Sequence, residues 1–248
     1  MTRLSVLVSL RDDSPTKERT TLWEFIRARF EREMPEAEIV VGTDDGTPFN
    51  KCKALNRAAA EATGDVFYIT DADSWVAPAM IRQGIELLAR HAWVKPWRTK
   101  CKLGPEGTAE VLALGEDWDG TLGIMLRKDA ESRSNGFPAA PPLLLTRETF
   151  FDVGGMDERF GGGWGGEDSA LYRALIILRG RAEVMNGECI HLNHPRLGRS
   201  GRDRWEGQDS PDANNALLRE YVRARTPEQM RELIAARSLV TARGRPGT

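Results

Sequence analysis

Apolar and polar segments alternate along the chain in a way that predicts strands followed by helices. Apolar runs rich in β-branched residues predict strands at residues 4–10, 38–42 and 66–70. Apolar positions at helical spacing predict a helix at residues 16–33, and helices are also predicted at the alanine-rich residues 50–62 and at residues 78–91. Strands that alternate with helices are typical of α/β folds with a mostly parallel sheet. The first part of the chain therefore predicts an α/β domain.

The pattern weakens between residues 93 and 142, where glycine, proline and charged residues alternate. Short strand-like pieces occur there at residues 109–114 and 121–126. Regular alternation then returns, with elements predicted at residues 143–146, 147–151, 168–180 and 183–192. The α/β pattern therefore extends to about residue 200.

The last part of the chain is polar at first and then predicts two amphipathic helices, at residues 213–225 and 227–238. The second begins with a capping box, with Thr226 at the N-cap, Pro227 at the first helical position and Gln229 at the third. We expect a main domain at residues 1–200 and a polar linker with a helical extension at residues 201–248. The apolar face of the extension should pack on the core or on a second copy of the chain in a homo-oligomer. That face comprises Leu217, Leu218, Val222, Met230, Leu233 and Ile234.

Composition changes this picture little. A length of 248 residues with 40% hydrophobic content suits one large α/β domain with an appendage. The formal net charge of −2 argues against nucleic acid as a partner over the whole chain. Cys52, Cys101 and Cys189 are odd in number and lack metal-type spacing, so we expect no disulfide framework. The N-terminus enters a strand almost at once and no apolar run is long enough to span a membrane, which predicts a cytoplasmic protein.

Two carboxylates follow the third predicted strand, in the sequence Asp71-Ala72-Asp73. Ligands of open α/β sheets bind beyond the carboxyl ends of the strands, so this position is a candidate site. Two acids separated by one small residue suit a divalent cation, with one acid binding directly and the other through water or a ribose hydroxyl. Oxygen ligands are preferred by hard cations, and bound phosphates would supply the remaining ligands. An Asp-x-Asp pair alone is a weak signal, because it is common by chance.

A glycine-rich loop with two acids supplies the second signal, at residues 160–168. Gly165 and Gly166 allow the backbone to approach a ligand closely, and Trp164 can stack on a sugar or a base. Glu167 and Asp168 begin a predicted helix, where they can accept protons or hydroxyl hydrogen bonds. The alternative is a flexible loop with two helix-capping acids.

Charged and aromatic residues also follow the first two predicted strands. Arg11 and Asp13 come after the first strand, and Asp44 and Asp45 after the second. We expect the acids to contact the base and ribose of a nucleotide, although acids that cap helices or close turns are equally compatible with the pattern. Phe49 could stack on the base or belong to the core.

These motifs together resemble the β-1,4-galactosyltransferase group of GT-A glycosyltransferases. The resemblance covers roughly residues 4–200, and polypeptide N-acetylgalactosaminyltransferases and chondroitin-polymerase-type enzymes share parts of it. The resembling segments are Phe49–Asn56, Asp71–Asp73 and Trp164–Asp168, and they occur in the family's order. The resemblance implies a Rossmann-like GT-A fold that binds a nucleotide-diphospho sugar. It also implies that Arg11 contacts the nucleotide.

The resemblance further implies roles for individual residues. The family's Phe-Asn-Arg segment contacts the nucleotide, and Lys51 replaces that arginine here. The family's aspartate pair, matched by Asp71 and Asp73, holds the metal and the donor. Its acidic loop has a further tryptophan where this chain has Gly162, so the galactosyltransferase acceptor is not carried over.

The histidines of the sequence Cys189–Pro195 complete the predicted metal site. The family carries a Met-x-x-His pattern in this region, and the matching residues are His191 and His194. Imidazole suits Mn²⁺ or Mg²⁺ better than a thioether does. The resemblance therefore predicts a metal held by Asp73, His191 and His194, although some GT-A enzymes use one histidine only.

These observations predict a metal-dependent glycosyltransferase that transfers the sugar of a UDP-sugar to an acceptor hydroxyl. Asp168 is the predicted general base and Glu167 the predicted hydrogen-bonding partner of acceptor or donor hydroxyls. The retaining N-acetylgalactosaminyltransferases have an amide where Asp168 stands, so the acid favours inversion. The acceptor is a glycan, a glycoprotein or a small molecule, and Trp93, Trp97 and Trp118 are expected on its side by position alone.

Two alternatives remain open from the sequence. A nucleotidyltransferase would also use paired aspartates and a metal, but residues 10–14 lack the glycine-rich phosphate loop that it needs. A non-catalytic carbohydrate-binding module could use Trp164 and Trp97 to bind glycan, but it would not need two aspartates and a histidine pair.

Overall fold

The computed structural model contains two sheets flanked by helices. It describes residues 2–11, 17–47, 49–123, 126–127, 130–134, 140–161, 165–194 and 211–243. The strands are β1 (Leu4–Ser9), β2 (Glu38–Gly42), β3 (Val66–Thr70), β4 (Ser74–Val76), β5 (Trp93–Lys95), β6 (Thr99–Lys102), β7 (Glu131–Ser134), β8 (Leu143–Thr146), β9 (Glu183–Val184) and β10 (Glu188–His191). The helices are α1 (Glu18–Glu33), α2 (Lys51–Glu61), α3 (Pro78–Leu87), α4 (Pro105–Leu114), a 3₁₀ turn (Gly115–Asp117), α5 (Arg147–Asp152), α6 (Glu167–Arg179), α7 (Pro211–Arg223) and α8 (Pro227–Arg243).

The larger sheet has six strands in the order β2-β1-β3-β8-β5-β9. β1 lies parallel to both β2 and β3, and β5 lies parallel to β9, whereas β8 is antiparallel to its neighbours β3 and β5. The predicted α/β fold with a mostly parallel central sheet is confirmed. Because β1, β2 and β3 are parallel, the residues that follow them lie at one edge of the sheet.

The smaller sheet has four strands in the order β4-β10-β6-β7. β10 lies between β4, to which it is antiparallel, and β6, to which it is parallel. β4 begins at Ser74, directly after the aspartate pair, so this sheet joins the end of β3 to the histidine segment.

Local sequence explains where several helices begin. Asn50 caps α2 by accepting a hydrogen bond from the Lys53 amide at 3.0 Å, and the alanines that follow favour a helix. Proline occupies the first turn of both α3 and α4, where its missing N–H costs nothing.

The region around α4 differs from the prediction. The strand-like piece at residues 109–114 is the second half of this helix. Pro105 in the first turn and the following Ala, Leu and Glu residues favour a helix, and Thr108 and Val111, three residues apart, are buried. The strand prediction was wrong because apolar residues in a short run do not distinguish a strand from a buried helix.

Two apolar clusters form the core on opposite sides of the larger sheet. The first includes Phe30, Tyr68 and Trp75 and packs α1 against the sheets. The second includes Phe67 and Leu175 and packs α2, α5 and α6 against the other side.

The C-terminal helices α7 and α8 belong to this second cluster, which confirms the predicted helical extension. Tyr221, Ala224 and Met230 are buried in it, and the partly buried residues packed against it include Leu217, Leu218, Leu233 and Ile234. Of the predicted apolar face, Val222 alone is an exposed side chain, at 50%. The extension therefore packs on the core of its own chain.

Candidate metal centre and acidic cluster

The paired strands bring the second aspartate of the Asp-x-Asp pair beside the histidine segment. Ser74 of β4 is opposite His191 of β10, and the Leu192 amide donates to the Asp73 carbonyl at 2.9 Å. The next residue, Asn193, donates its amide to the Thr108 hydroxyl at 2.7 Å. Backbone pairing in the smaller sheet thus fixes this segment, including His194, against Asp73.

The side chains of Asp73, His191 and His194 meet through their ligand atoms. His191 Nε2 lies 3.4 Å from Asp73 Oδ1, and His194 Nε2 lies 3.1 Å from Asp73 Oδ2. Among the described residues, these three form a group of potential metal ligands, with one ligand atom from each within 4.8 Å of the other two. Ligands about 2.1 Å from an octahedral cation are about 3 Å apart when adjacent, so the spacing fits a divalent ion.

Burial and charge suit this cluster to a cation. The Asp73 side chain is 3% exposed, and those of His191 and His194 are 15% and 14% exposed. Burial acts to raise the pKa of Asp73, but His191 and His194 outweigh it and hold that pKa below its usual range. Burial lowers the pKa of His191, which favours the neutral imidazole that binds metals. The cluster therefore offers one carboxylate and two nitrogen ligands.

A second cluster lies at the same edge and is centred on Lys51, the first residue of α2. Lys51 Nζ lies 3.0 Å from Asp168 Oδ1 and 3.4 Å from Asp71 Oδ1. Burial acts to lower the pKa of Lys51, but Asp168 and Asp71 raise it well above its usual value. The ammonium group of Lys51 thus lies between two carboxylates that are 97 residues apart in the sequence, Asp71 of the Asp-x-Asp pair and Asp168 of the acidic loop.

The carboxyl group of Asp168 differs from an ordinary surface aspartate. Burial raises its pKa, Lys51 opposes this, and Glu167 and Asp71 raise it further, to about 6. Such a group is ionised at neutral pH and accepts a proton readily, which is the property of a general base. A carboxylate with a raised pKa therefore lies at the same sheet edge as the candidate metal cluster.

Glycines shape the start of α6, which carries Glu167 and Asp168. Gly165 and Gly166 have φ values of 109° and 99°, and a Cβ on Gly166 would lie 2.8 Å from the Phe160 ring. Residues with side chains adopt such values rarely, so the predicted need for glycine here is explained. Trp164, predicted to stack on a ligand, lies outside the described residues.

The loops that follow β1 and β2, at the same sheet edge, carry Arg11, Asp44, Asp45 and Phe49, which are predicted to bind the nucleotide. The Arg11 guanidinium donates to the Asp44 carbonyl at 3.1 Å and lies 5.6 Å from the centre of the half-buried Phe49 ring. Asp44 is buried and accepts the Gly46 and Asn50 amides at 3.2 and 3.1 Å, so its carboxylate closes the loop. Asp45 is exposed, and Asp13 lies outside the described residues. Nucleotide contacts of these residues stay a prediction.

Three tryptophans predicted on the acceptor side are core residues instead. Trp93, Trp97 and Trp118 are 1%, 1% and 3% exposed, and each indole N–H donates to a backbone carbonyl. Their rings therefore cannot serve as open stacking surfaces, and that prediction was wrong. The segment is irregular in sequence, but the Trp93 ring packs on Tyr172 of α6, and the Trp118 ring packs on Phe25 of α1 and Trp75 of β4. Because Trp97 is buried, it cannot bind glycan as the alternative interpretation, a carbohydrate-binding module, requires.

Lys100 is a charged residue of the site that the sequence did not indicate. It lies on β6, with Nζ 3.8 Å from Asp71 Oδ2. Burial acts to lower its pKa, but Cys189 and Asp71 raise it above its usual value. Alternation around the buried Cys101 could have predicted a strand, but not its pairing with β10. Asp71 therefore lies between the ammonium groups of Lys51 and Lys100.

Two family models match parts of the sequence that contain these clusters. The model described as glycosyl transferase family 2 matches residues 46–113, which include Lys51, Asp71 and Asp73. The model described as the N-terminal domain of galactosyltransferase matches residues 142–196, which include Asp168 and both histidines. These matches support a glycosyltransferase enzyme and confirm the resemblance to the GT-A β-1,4-galactosyltransferase group.

Solved structures also match the chain, though at low identity. A Drosophila β-1,4-galactosyltransferase 7 variant in complex with manganese, UDP-Gal and xylobiose is 18% identical, and the match covers 86% of this chain and 79% of that chain with a TM-score of 0.45. A mannosyltransferase from Pyrobaculum calidifontis in complex with GDP-Man and Mn²⁺ is 17% identical, covering 99% and 76% with a TM-score of 0.42. No curated protein matches the sequence. Among the described residues, no helix combines the length and apolar character needed to cross a membrane.

Proposed function

We propose that this glycosyltransferase moves a sugar from a nucleotide-diphospho sugar, UDP-linked, to an acceptor hydroxyl in a metal-dependent reaction with inversion at the anomeric carbon. The observation that carries the proposal is the cluster of the buried Asp73 with the partly buried His191 and His194. It lies at the end of β3, beside the charged group of Asp71, Lys51 and Asp168. A metal site and a basic carboxylate at one sheet edge are the two groups that such a transfer needs.

The metal cluster would hold Mn²⁺ or Mg²⁺ through one carboxylate oxygen and two imidazole nitrogens. The cation would neutralise the negative charge that develops on the diphosphate as it leaves. Asp71 is separated from the buried Asp73 by one residue. It would orient the donor by accepting hydrogen bonds from the donor's hydroxyl groups or from a bound water. Lys51 and Lys100 place further positive charge around Asp71, where it would attract the phosphates of the donor.

Asp168 would accept the proton of the acceptor hydroxyl as that oxygen attacks the anomeric carbon. Its pKa of about 6, raised first by burial, leaves it ionised at neutral pH and close to the range in which general bases work best. Glu167, next to it at the start of α6, would hydrogen-bond substrate hydroxyls. A single carboxylate acting on the acceptor, with no covalent intermediate, leads to inversion.

A donor screen tests the proposal. Purified protein is incubated with UDP-, GDP-, ADP- and CMP-linked sugars, with Mn²⁺, with Mg²⁺ or with a chelator, and released nucleotide is measured. We expect release from UDP-sugars that the chelator abolishes and that Mn²⁺ restores. The matched control variant is His91→Ala, which removes a histidine near Glu183 of the edge strand β9 and should behave as the unaltered protein.

Other outcomes identify the alternatives. Release that does not depend on metal would contradict the metal-assisted reaction. Pyrophosphate release from a nucleoside triphosphate and a sugar phosphate, without transfer from any nucleotide sugar, would indicate the nucleotidyltransferase. Nuclear magnetic resonance of the first product formed would give the anomeric configuration, and a retained configuration would contradict the role of Asp168.

A further inference from the structure

The C-terminal helices contact the loop that leads to the acidic pair through one buried carboxylate. Asp157 is 3% exposed and lies between α5 and α6. Its Oδ2 accepts the Tyr221 hydroxyl at 2.8 Å and the Arg159 guanidinium at 2.8 Å, and Arg237 Nε lies 3.4 Å from the same oxygen. Tyr221 belongs to α7 and Arg237 to α8, so both helices of the extension meet at one carboxylate.

Arg237 also contacts the backbone of this loop. Its Nη1 donates to the Gly154 carbonyl at 3.2 Å, and its guanidinium lies 5.1 Å from the centre of the Tyr221 ring. Gly154 and Gly155 both have positive φ values, 78° and 61°, so the chain turns sharply where Arg237 holds it. Burial acts to raise the pKa of Asp157, but Arg159, Arg237 and Tyr221 hold it below its usual value.

Helix α2 holds the same loop from the opposite side. The Asn56 side chain accepts the Met156 amide at 2.9 Å and donates to the Met156 carbonyl at 2.9 Å. Asn50, the cap of α2, donates to the Glu158 carbonyl at 2.8 Å. The next residue of α2, Lys51, is the one that contacts Asp168. The loop is therefore held between the helix that carries Lys51 and the C-terminal extension.

The contacts continue from this loop to the start of α6. The Phe160 ring lies 6.1 Å from the Tyr221 ring, centre to centre, and it packs so closely on Gly166 that a Cβ there would lie 2.8 Å from it. That Cβ would also lie 3.6 Å from the Asn214 carbonyl of α7. Gly166 directly precedes Glu167 and Asp168. A displacement of Tyr221 would therefore reach the acidic pair through one ring and one glycine.

We propose that the C-terminal extension helps to position the acidic pair Glu167 and Asp168. In this arrangement Tyr221 and Arg237 are positioning residues that act through Asp157. This inference rests on the proposed function for its effect on catalysis. The extension then holds the predicted base at its distance from the acceptor, in addition to covering the apolar core.

The test compares two variants of the full chain. Asp157→Asn weakens the charged contacts to Arg159 and Arg237, and Tyr221→Phe keeps the ring against Phe160 but removes the hydroxyl. The control is Met230→Ala, which removes a buried apolar side chain from α8 but none of the groups that contact Asp157. We expect kcat to fall about 10-fold or more in Asp157→Asn and less in Tyr221→Phe, because misplaced catalytic groups reduce rate steeply. The donor KM should change less than about twofold in both variants, and kcat of Met230→Ala should stay near that of the unaltered protein below its melting temperature.

Hydrogen exchange provides a readout that needs no activity. Amides of residues 165–171 should exchange at least about 10-fold faster in Asp157→Asn, and faster in Tyr221→Phe, than in Met230→Ala at matched stability. Equal exchange there in all three variants, or an equal loss of kcat in Met230→Ala, would overturn the positioning role.

If the unaltered protein releases no nucleotide from any donor, the proposed function fails, while the exchange comparison still decides whether the extension positions α6. If Asp157→Asn does not fold, the comparison of Tyr221→Phe with Met230→Ala still tests the positioning role.

Discussion

The two acidic regions of the site contain aspartates whose neighbours give them opposite properties. Asp73 is next to two imidazoles, which hold its pKa below the usual range although burial acts to raise it. Asp168 faces one ammonium group, but burial and the carboxylates of Glu167 and Asp71 raise its pKa to about 6. The same functional group is thus suited to bind a cation in one place and to accept a proton in the other.

The supports of these two residues differ as well. Asp73 and the histidine segment are fixed by backbone pairing between β4 and β10, so that the sheet determines their positions. Asp168 is the second residue of α6, which follows two glycines of positive φ. The loop before this helix is held by side chains from α2 and from the extension. We therefore expect substitutions at a distance to affect Asp168 more than the metal cluster.

The largest effect is expected from Asp73→Ala. This substitution removes the one carboxylate of the metal cluster, so metal-dependent turnover of the donor should be abolished. Nucleotide release is measured over a range of Mn²⁺ concentrations, with His91→Ala as the control. Metal-stimulated release at an unchanged rate in Asp73→Ala would contradict the metal role of this residue.

Asp168→Asn should have the next largest effect, on rate rather than on binding. Asparagine keeps the shape but cannot accept the proton, and loss of a general base costs about 10²–10⁴-fold in rate. The donor KM should stay nearly unchanged, because the base acts in the transition state. Steady-state kinetics measure both constants. Turnover near that of the unaltered protein would indicate that Asp168 only caps its helix, a role in which asparagine serves almost equally well.

His194→Ala should weaken metal binding without abolishing it. One imidazole is lost while Asp73 and His191 remain, and we expect Mn²⁺ affinity to fall at least about 10-fold, an extent typical of lost metal-site support. Equilibrium dialysis with Mn²⁺ measures this directly. His191→Ala is the parallel variant, and an effect confined to one histidine would identify the other as a neighbour that does not bind the ion.

A smaller effect concerns pH and Lys51. Because only the ionised carboxylate accepts a proton, kcat should fall as the pH decreases through about 6, the pKa of Asp168 raised by burial. Lys51 lowers that pKa, so Lys51→Met should move the midpoint of the kcat profile to higher pH. Profiles of both proteins at saturating donor give the comparison. A midpoint that moves to lower pH, or does not move, would contradict the charge coupling between these residues.

The sequence predicted the elements that depend on local pattern. The strand that precedes Asp71 and Asp73, the glycine-initiated helix of Asp168 and the helical extension are all present. It could not predict that Lys100 joins Asp71, because this depends on pairing between β6 and β10, which are far apart in the chain. It also misassigned Trp93, Trp97 and Trp118, since burial of a tryptophan depends on tertiary packing rather than on its neighbours.

The most direct test of the account is calorimetry of UDP binding in three proteins, with and without Mn²⁺. Separate roles for the two aspartates predict that Asp73→Ala loses the Mn²⁺-dependent part of UDP affinity, whereas Asp168→Asn keeps it. Mn²⁺-dependent UDP binding that is unchanged in Asp73→Ala, or lost equally in both variants, would contradict the division between a cation-binding and a proton-accepting carboxylate.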